Sequence, residues 1–231
     1  MGGALLSAYD SGELPECGAV HWRARTDQAS LRRSGRWWTV STAGHVLPFL
    51  MAAGTVLAGV LVGVLAPATV ALAAVLLARG WAIPELHAAR GANVLRPRPR
   101  AGAAAERRAL GLLADLLDRR AYALHMRTGL VLEPAALGVW LLGEAGAILV
   151  PRRGRRLFCY CVRASGPELP AADRIAHLLL ALRTDEAGFA TVANLAFAGA
   201  PWRLRRRLPR AMRPALAAAL AEARGHRVGR L

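Results

Sequence analysis

"GVLVGVLAPATVALAAVLLARGW" (residues 59–81) decides the architecture of this chain. It reads as one long apolar helix, as two helices meeting at a proline, or as the core of a soluble bundle. Working outward, the uncharged stretch begins near Ala43 and runs "AGHVLPFLMAAGTVLAGVLVGVL" to Leu65. As a helix, those roughly 23 residues span about 35 Å, enough to cross a hydrocarbon core of about 30 Å. Continuing unbroken to Leu86 would give roughly 66 Å, twice that thickness. Pro67 disfavours helix at Ala66 and suits the first position of a new helix. Two helices, about 43–65 and 68–86, are therefore expected to fold back as a transmembrane hairpin. A soluble helix would show a wet face, and this stretch has none until Arg79. A re-entrant hairpin that dips in without crossing satisfies the same pattern, because its turn is hardly polar. Pro84 and Glu85 are expected to end the second helix.

Orientation follows from arginine placement. Arg32, Arg33 and Arg36 precede the first helix, Arg90, Arg96, Arg98 and Arg100 follow the second, and the connecting turn has none. Basic flanks favour the cytoplasmic side, so both termini are expected in the cytoplasm and the protein in the inner (plasma) membrane. The start "MGGALLSAYDSGELPECG" has no basic opening and three early acids, so no secretory signal is expected there. Gly59 and Gly63 form a GxxxG pair that Gly54 extends. Such small residues let helices approach closely, either within the hairpin or between two copies of the chain.

Composition agrees with a membrane protein. The chain is 55% hydrophobic yet carries a net charge of +16, a combination that apolar spans with basic flanks produce. All 31 basic residues are arginine. The absence of lysine excludes Schiff-base, pyridoxal-phosphate, Walker P-loop and protein-kinase chemistry. Three cysteines, Cys17, Cys159 and Cys161, make no disulfide framework.

Residues 1–42 read as a cytoplasmic arm, mostly irregular. Residues 87–103, with "RPRPR", read as an extended Arg/Pro linker. Residues 104–231 are long enough for a small cytoplasmic α+β domain. It is expected to open with an amphipathic helix ending at Gly129. Strands follow in "LVLE", "LGVWLLGEAGAILVP" and "RRLFCYCVRA", then a helix between Pro170 and Gly188 and a strand in "FATVANLAFAG". From Trp202 the chain reads as a basic amphipathic helix. Arg203, Arg205, Arg206, Arg207, Arg210 and Arg213 crowd together while Leu204, Leu208, Met212, Leu216 and Leu220 recur every four residues.

The chemistry on offer is sparse. Cys159 and Cys161 would share one strand face and are weak metal candidates; Cys17 and His21 could supply further ligands but lie far away in sequence, and filling a sheet face explains the pair better. Asp173 with His177, and Asp115, Asp118 and His125, occupy helix faces where surface ion pairs account for them. Glu144 sits in a turn. No hydrolase, zinc-protease or CxxC motif occurs, and nothing calls for a cofactor. The six arginines suit an anionic surface, with anionic lipid headgroups as the first partner. The expected function is to present a cytoplasmic interaction domain at the inner leaflet to a protein partner. A membrane-tethered enzyme such as a hydrolase, with its site in 104–231, and a membrane-anchored nucleic-acid binder are the alternatives.

Overall fold

The computed structural model describes residues 24–96, 102–152, 154–162 and 169–225. It contains two helices long and apolar enough to cross a membrane and a small α+β region built on a five-stranded antiparallel sheet. Cys17, His21, Arg98 and Arg100 lie outside the described residues.

Helix α1 runs Gln28–Leu61, starting well before Ala43. The expected irregular arm is therefore helical from residue 28 onward. Asp27 starts the helix through a capping box: its carboxylate accepts from Ser30 N–H at 2.7 Å and Ser30 Oγ accepts from Asp27 N–H at 2.8 Å. Those hydrogen bonds hold the Asp27 carboxyl below its ordinary pKa. The chain reverses after Val62, where Gly63 takes a left-handed φ of 77° that a β-carbon would strain. Pro67 then opens a short 3-10 turn, Pro67–Thr69, that leads into α2, Val70–Asn93. Helix α2 passes through Pro84 rather than ending there. Proline costs that helix one backbone donor, facing the carbonyl of Gly80, and packing on both sides outweighs the loss.

The two helices lie side by side. Ala53 and Ala73 are fully buried in their seam, and a Cβ on Gly80 would sit 3.6 Å from Phe49 and Leu50. None of the three glycines singled out by spacing makes the contact between the two helices. Gly54 faces open space, Gly59 makes room for the side chain of Leu65, and Gly63 forms the turn.

The first amphipathic segment is split into α3, Ala103–Leu116, and α4, Arg119–Thr128. Asp118 breaks it by capping α4, accepting from Ala121 N–H at 2.7 Å, and Gly129 ends α4 with φ 70°. Strands β1 (Val131–Pro134), β2 (Gly138–Gly143), β3 (Gly146–Pro151) and β4 (Leu157–Cys161) then pair in sequence order. After α5, Ala171–Thr184, the segment expected as one strand divides into α6, Glu186–Val192, and β5, Asn194–Gly199, on the far edge beside β4. The C-terminal helix is also broken: α7 covers Pro201–Arg207, a 3-10 turn Arg210–Met212, and α8 covers Arg213–Gly225. Pro209 lies at the break, disfavouring helix at Leu208.

Both sheet faces are buried. Trp140, Leu142, Leu149, Phe158 and Tyr160 face α3, α5 and α6, joined by Leu31 of α1. Val139, Leu141, Ile148, Val150 and Cys159 face α4, α7, α8 and the last turns of α2. Ala88 and Ala92 of α2, with Leu95 just beyond its end, belong to that second core, and a Cβ at Gly91 would lie only 2.7 Å from Phe197. The hairpin thus grows directly out of the α+β region, its lower half forming part of the core.

Candidate functional site

The upper hairpin is apolar and uncovered. In the most apolar windows of α1 and of the stretch that contains α2, 6% and 17% of residues are buried. A core helix of a soluble protein would be mostly covered, so burial inside this chain does not explain the composition. Met51, Leu61, Val62, Val64, Leu72 and Val75 all stand exposed. They line the upper half of the hairpin on both arms and at the turn, more exposed apolar side chains than scattered surface positions would give.

The base is charged and locked. Glu85, one-and-a-half turns below Arg79 on α2, is 5% exposed. Its Oε2 accepts from Arg207 Nη2 at 2.6 Å and Nε at 3.1 Å, and Arg203 Nη1 lies 3.6 Å from its Oε1. This cluster ties α7 to α2. Glu85→Gln removes the negative partner and leaves two guanidiniums crowded together. We expect a loss of roughly 2 kcal/mol, read as a thermal midpoint about 4–8 °C lower in detergent. Arg205→Gln should leave the midpoint unchanged.

The expected anionic-surface residues therefore divide. Arg203 and Arg207 hold Glu85. Arg213 donates from Nε to the carbonyl of Leu208 at 3.2 Å, closing the break after α7. Arg205, Arg206 and Arg210 face solvent. Leu204, Leu208, Met212 and Leu216 are all buried in the core, so the four-residue periodicity records docking on the sheet. Trp202 is half exposed, with the guanidinium of Arg203 4.8 Å and that of Arg206 5.7 Å from its ring centre, within cation–π range.

The other sequence candidates are scattered. Cys159 is fully buried among Ile148, Leu157 and Phe197, and burial pushes its thiol far up, away from the thiolate a metal needs. Cys161 is exposed at the strand end and both thiols are free. Among the described residues no three His, Cys, Asp or Glu side chains gather as a metal site. His125 is buried on α4 with its Nδ1 unpartnered, and burial lowers its pKa toward the neutral imidazole. Asp173 and His177 lie on α5, His177 exposed, and Glu144 is in the β2–β3 turn.

Two adjoining clefts, which spacing alone did not reveal, flank the hairpin base. One, of about 270 Å³, lies between α1 and the β3–β4 turn and carries Arg32, Arg36, Arg155 and Arg156. The other, of about 360 Å³, shares Arg155 and Arg156 and extends to Arg203, Thr42, His87 and Pro84 over an aromatic floor of Trp38 and Phe197. Trp38 packs edge-on against His87 and Phe197, with ring centres 5.7 Å and 6.1 Å apart. Arg156 Nη1 donates to the carbonyl of Gly35 and to Thr39 Oγ1, which fixes its guanidinium beside α1. The sequence signal was "RRGRR", legible only as a turn until α1 was seen to reach down to it.

Comparison with known protein families, characterised proteins and solved structures finds no match.

Proposed function

We propose that this chain is a hairpin-anchored membrane protein that holds its α+β region against the inner leaflet as an interaction module, with both ends of the hairpin on the cytoplasmic side. The observation that carries this reading is the uncovered upper hairpin, uncharged from the turn down to Arg79, standing on an arginine-rich base. Lipid is the solvent that such a surface matches, and the basic base suits anionic headgroups.

The Glu85 cluster limits how deep the hairpin sits. Charged α7 is fastened to α2 at Glu85, so hydrocarbon begins above that level, near Ala82. Gly80 neighbours Val46, which sets the matching level on α1. From there to the turn, either arm measures roughly 24–26 Å. That falls short of a core of about 30 Å. We therefore favour the embedded, re-entrant form over a full crossing. Arg79 lies within reach of the boundary by its flexible stem, and half-exposed Trp81 suits the interface.

A cysteine at the tip tests this. Val64→Cys, in a chain whose native Cys17, Cys159 and Cys161 are replaced by alanine, should resist a membrane-impermeant maleimide from both faces of sealed inverted and right-side-out vesicles and react once detergent is added. Reaction from the far side alone would replace the embedded form with a full crossing. Reaction from the near side, with the protein extracted by carbonate, would reject membrane insertion.

A further inference from the structure

We propose that the cleft between α1, the β3–β4 turn and α7 binds the phosphate of an anionic phospholipid, held by Arg155 and Arg156 above the aromatic floor of Trp38 and Phe197. The inference rests on the hairpin reading above and adds to it a defined headgroup site, separate from the outward arginines of α7.

Charge is the first argument. Arg155, Arg156 and Arg203 converge on one concavity, Arg32 and Arg36 line the cleft next to it, and among the described residues no carboxylate lines either. Among the described residues, the nearest acid engaged with the group is Glu85, which is committed to Arg203 and Arg207. Arg155 and Arg156, unlike Arg203, have no carboxylate partner among the described residues; they repel one another, and a bound anion removes that cost. Arg156 is held in place by Gly35 and Thr39 through a single nitrogen, leaving its other N–H groups for a ligand. A fixed planar guanidinium is well suited to bidentate phosphate binding.

Shape and position select the lipid. The cleft holds about 360 Å³, room for a headgroup and glycerol but not for acyl chains. Its floor is aromatic, unlike a site for a fully hydrated anion. Its lining reaches Thr42 on α1 and Pro84 on α2, within about one helical turn of the level at which the proposed bilayer begins. Acyl chains leaving past those residues run along the exposed apolar side of the hairpin. A duplex nucleic acid entering the same cleft would meet the apolar helices above it, whereas a phospholipid uses both.

The test uses the full-length protein in an uncharged detergent. Dihexanoyl-phosphatidylglycerol, dihexanoyl-phosphatidylcholine and inorganic phosphate are titrated by calorimetry. The glycerol lipid is expected to bind at least tenfold more tightly than either of the others. Arg155→Gln with Arg156→Gln should weaken it tenfold or more, while Arg205→Gln with Arg206→Gln leaves it unchanged. Arg155→Gln alone, at an exposed side chain with no hydrogen bond among the described residues, guards against a folding defect and should still lose severalfold. Equal binding of the choline lipid, phosphate binding as tight as the lipid, or a loss confined to the α7 pair would each overturn the assignment. Because binding is read in detergent, its failure is separable from failure of the hairpin to insert.

Discussion

Leu72→Asp combined with Val75→Asp is expected to shift the full-length protein from the carbonate-resistant membrane pellet to the soluble fraction. Both side chains are more than half exposed, on the upper hairpin. In water, such surface changes are worth within about 0.5 kcal/mol. In hydrocarbon, each aspartate costs about 2.5–3.5 kcal/mol and forfeits a further few tenths from the lost apolar group. Together they approach roughly 6 kcal/mol, about four orders of magnitude in partitioning. Leu112→Asp, an equally exposed leucine on α3, supplies the control and should stay in the pellet. If the double variant also stayed, the upper hairpin would not be the anchor.

The α+β region should depend most on Trp140. It is fully buried in β2, its ring 5.6 Å from Tyr160 and 5.4 Å from Phe189. Its indole N–H donates to Glu186 Oε1 at 2.6 Å, and the same carboxylate accepts from Leu137 N–H at 3.0 Å. Trp140→Ala opens a cavity at the centre of the sheet and should cost about 3–5 kcal/mol. Against a total stability of about 5–15 kcal/mol, the variant is expected to populate unfolded protein at moderate denaturant. Trp140→Phe retains much of the ring but removes the charge-assisted indole hydrogen bond to Glu186, which keeps Leu137 N–H, with an expected loss of about 1.5–3 kcal/mol. Denaturant midpoints in detergent, followed by Cys159 reactivity, would rank the two. A smaller loss for alanine than for phenylalanine would contradict the packing argument.

How much of this was legible in the sequence depends on the range of the force concerned. The apolar hairpin, the strands "LGVW" through "RRLFCYC" and the left-handed stop at Gly129 are local signals, set by hydropathy, alternation and glycine geometry, and they appear where expected. Helix boundaries set by distant packing do not. Helix α1 begins at Gln28 because Leu31 and Gly35 dock beside Phe158, and α2 survives Pro84 because Ala88 through Leu95 dock on the sheet. The cap at Asp27 is a local feature, but it lies in a stretch of mixed charge that reads as irregular until its packing partners are in place. In "FATVANLAFAG" no period separates the α6 half from the β5 half, and Asp185, accepting from Gly188 N–H at 2.9 Å, makes the choice. For the candidate site, the arginines of α7 stood out because they are adjacent. Glu85, Arg32, Arg36, Arg155 and Arg156 did not, because only the fold brings α2, α1 and the β3–β4 turn together around them.

The sharing of core between hairpin and sheet has a consequence for how the protein is made. Helices α1 and α2 leave the ribosome about 100 residues before β5 is complete, a lag of roughly 5–20 s at ordinary elongation rates. Until the strands emerge in turn, Leu31, Trp38, Ala88 and Leu95 lack the sheet that covers them, and the last edge arrives only with β5. On the proposed reading, the nascent hairpin is already seated in lipid while its lower turns wait as a half-finished template. The strands then assemble on a scaffold whose orientation has been decided, so biogenesis runs from the bilayer outward.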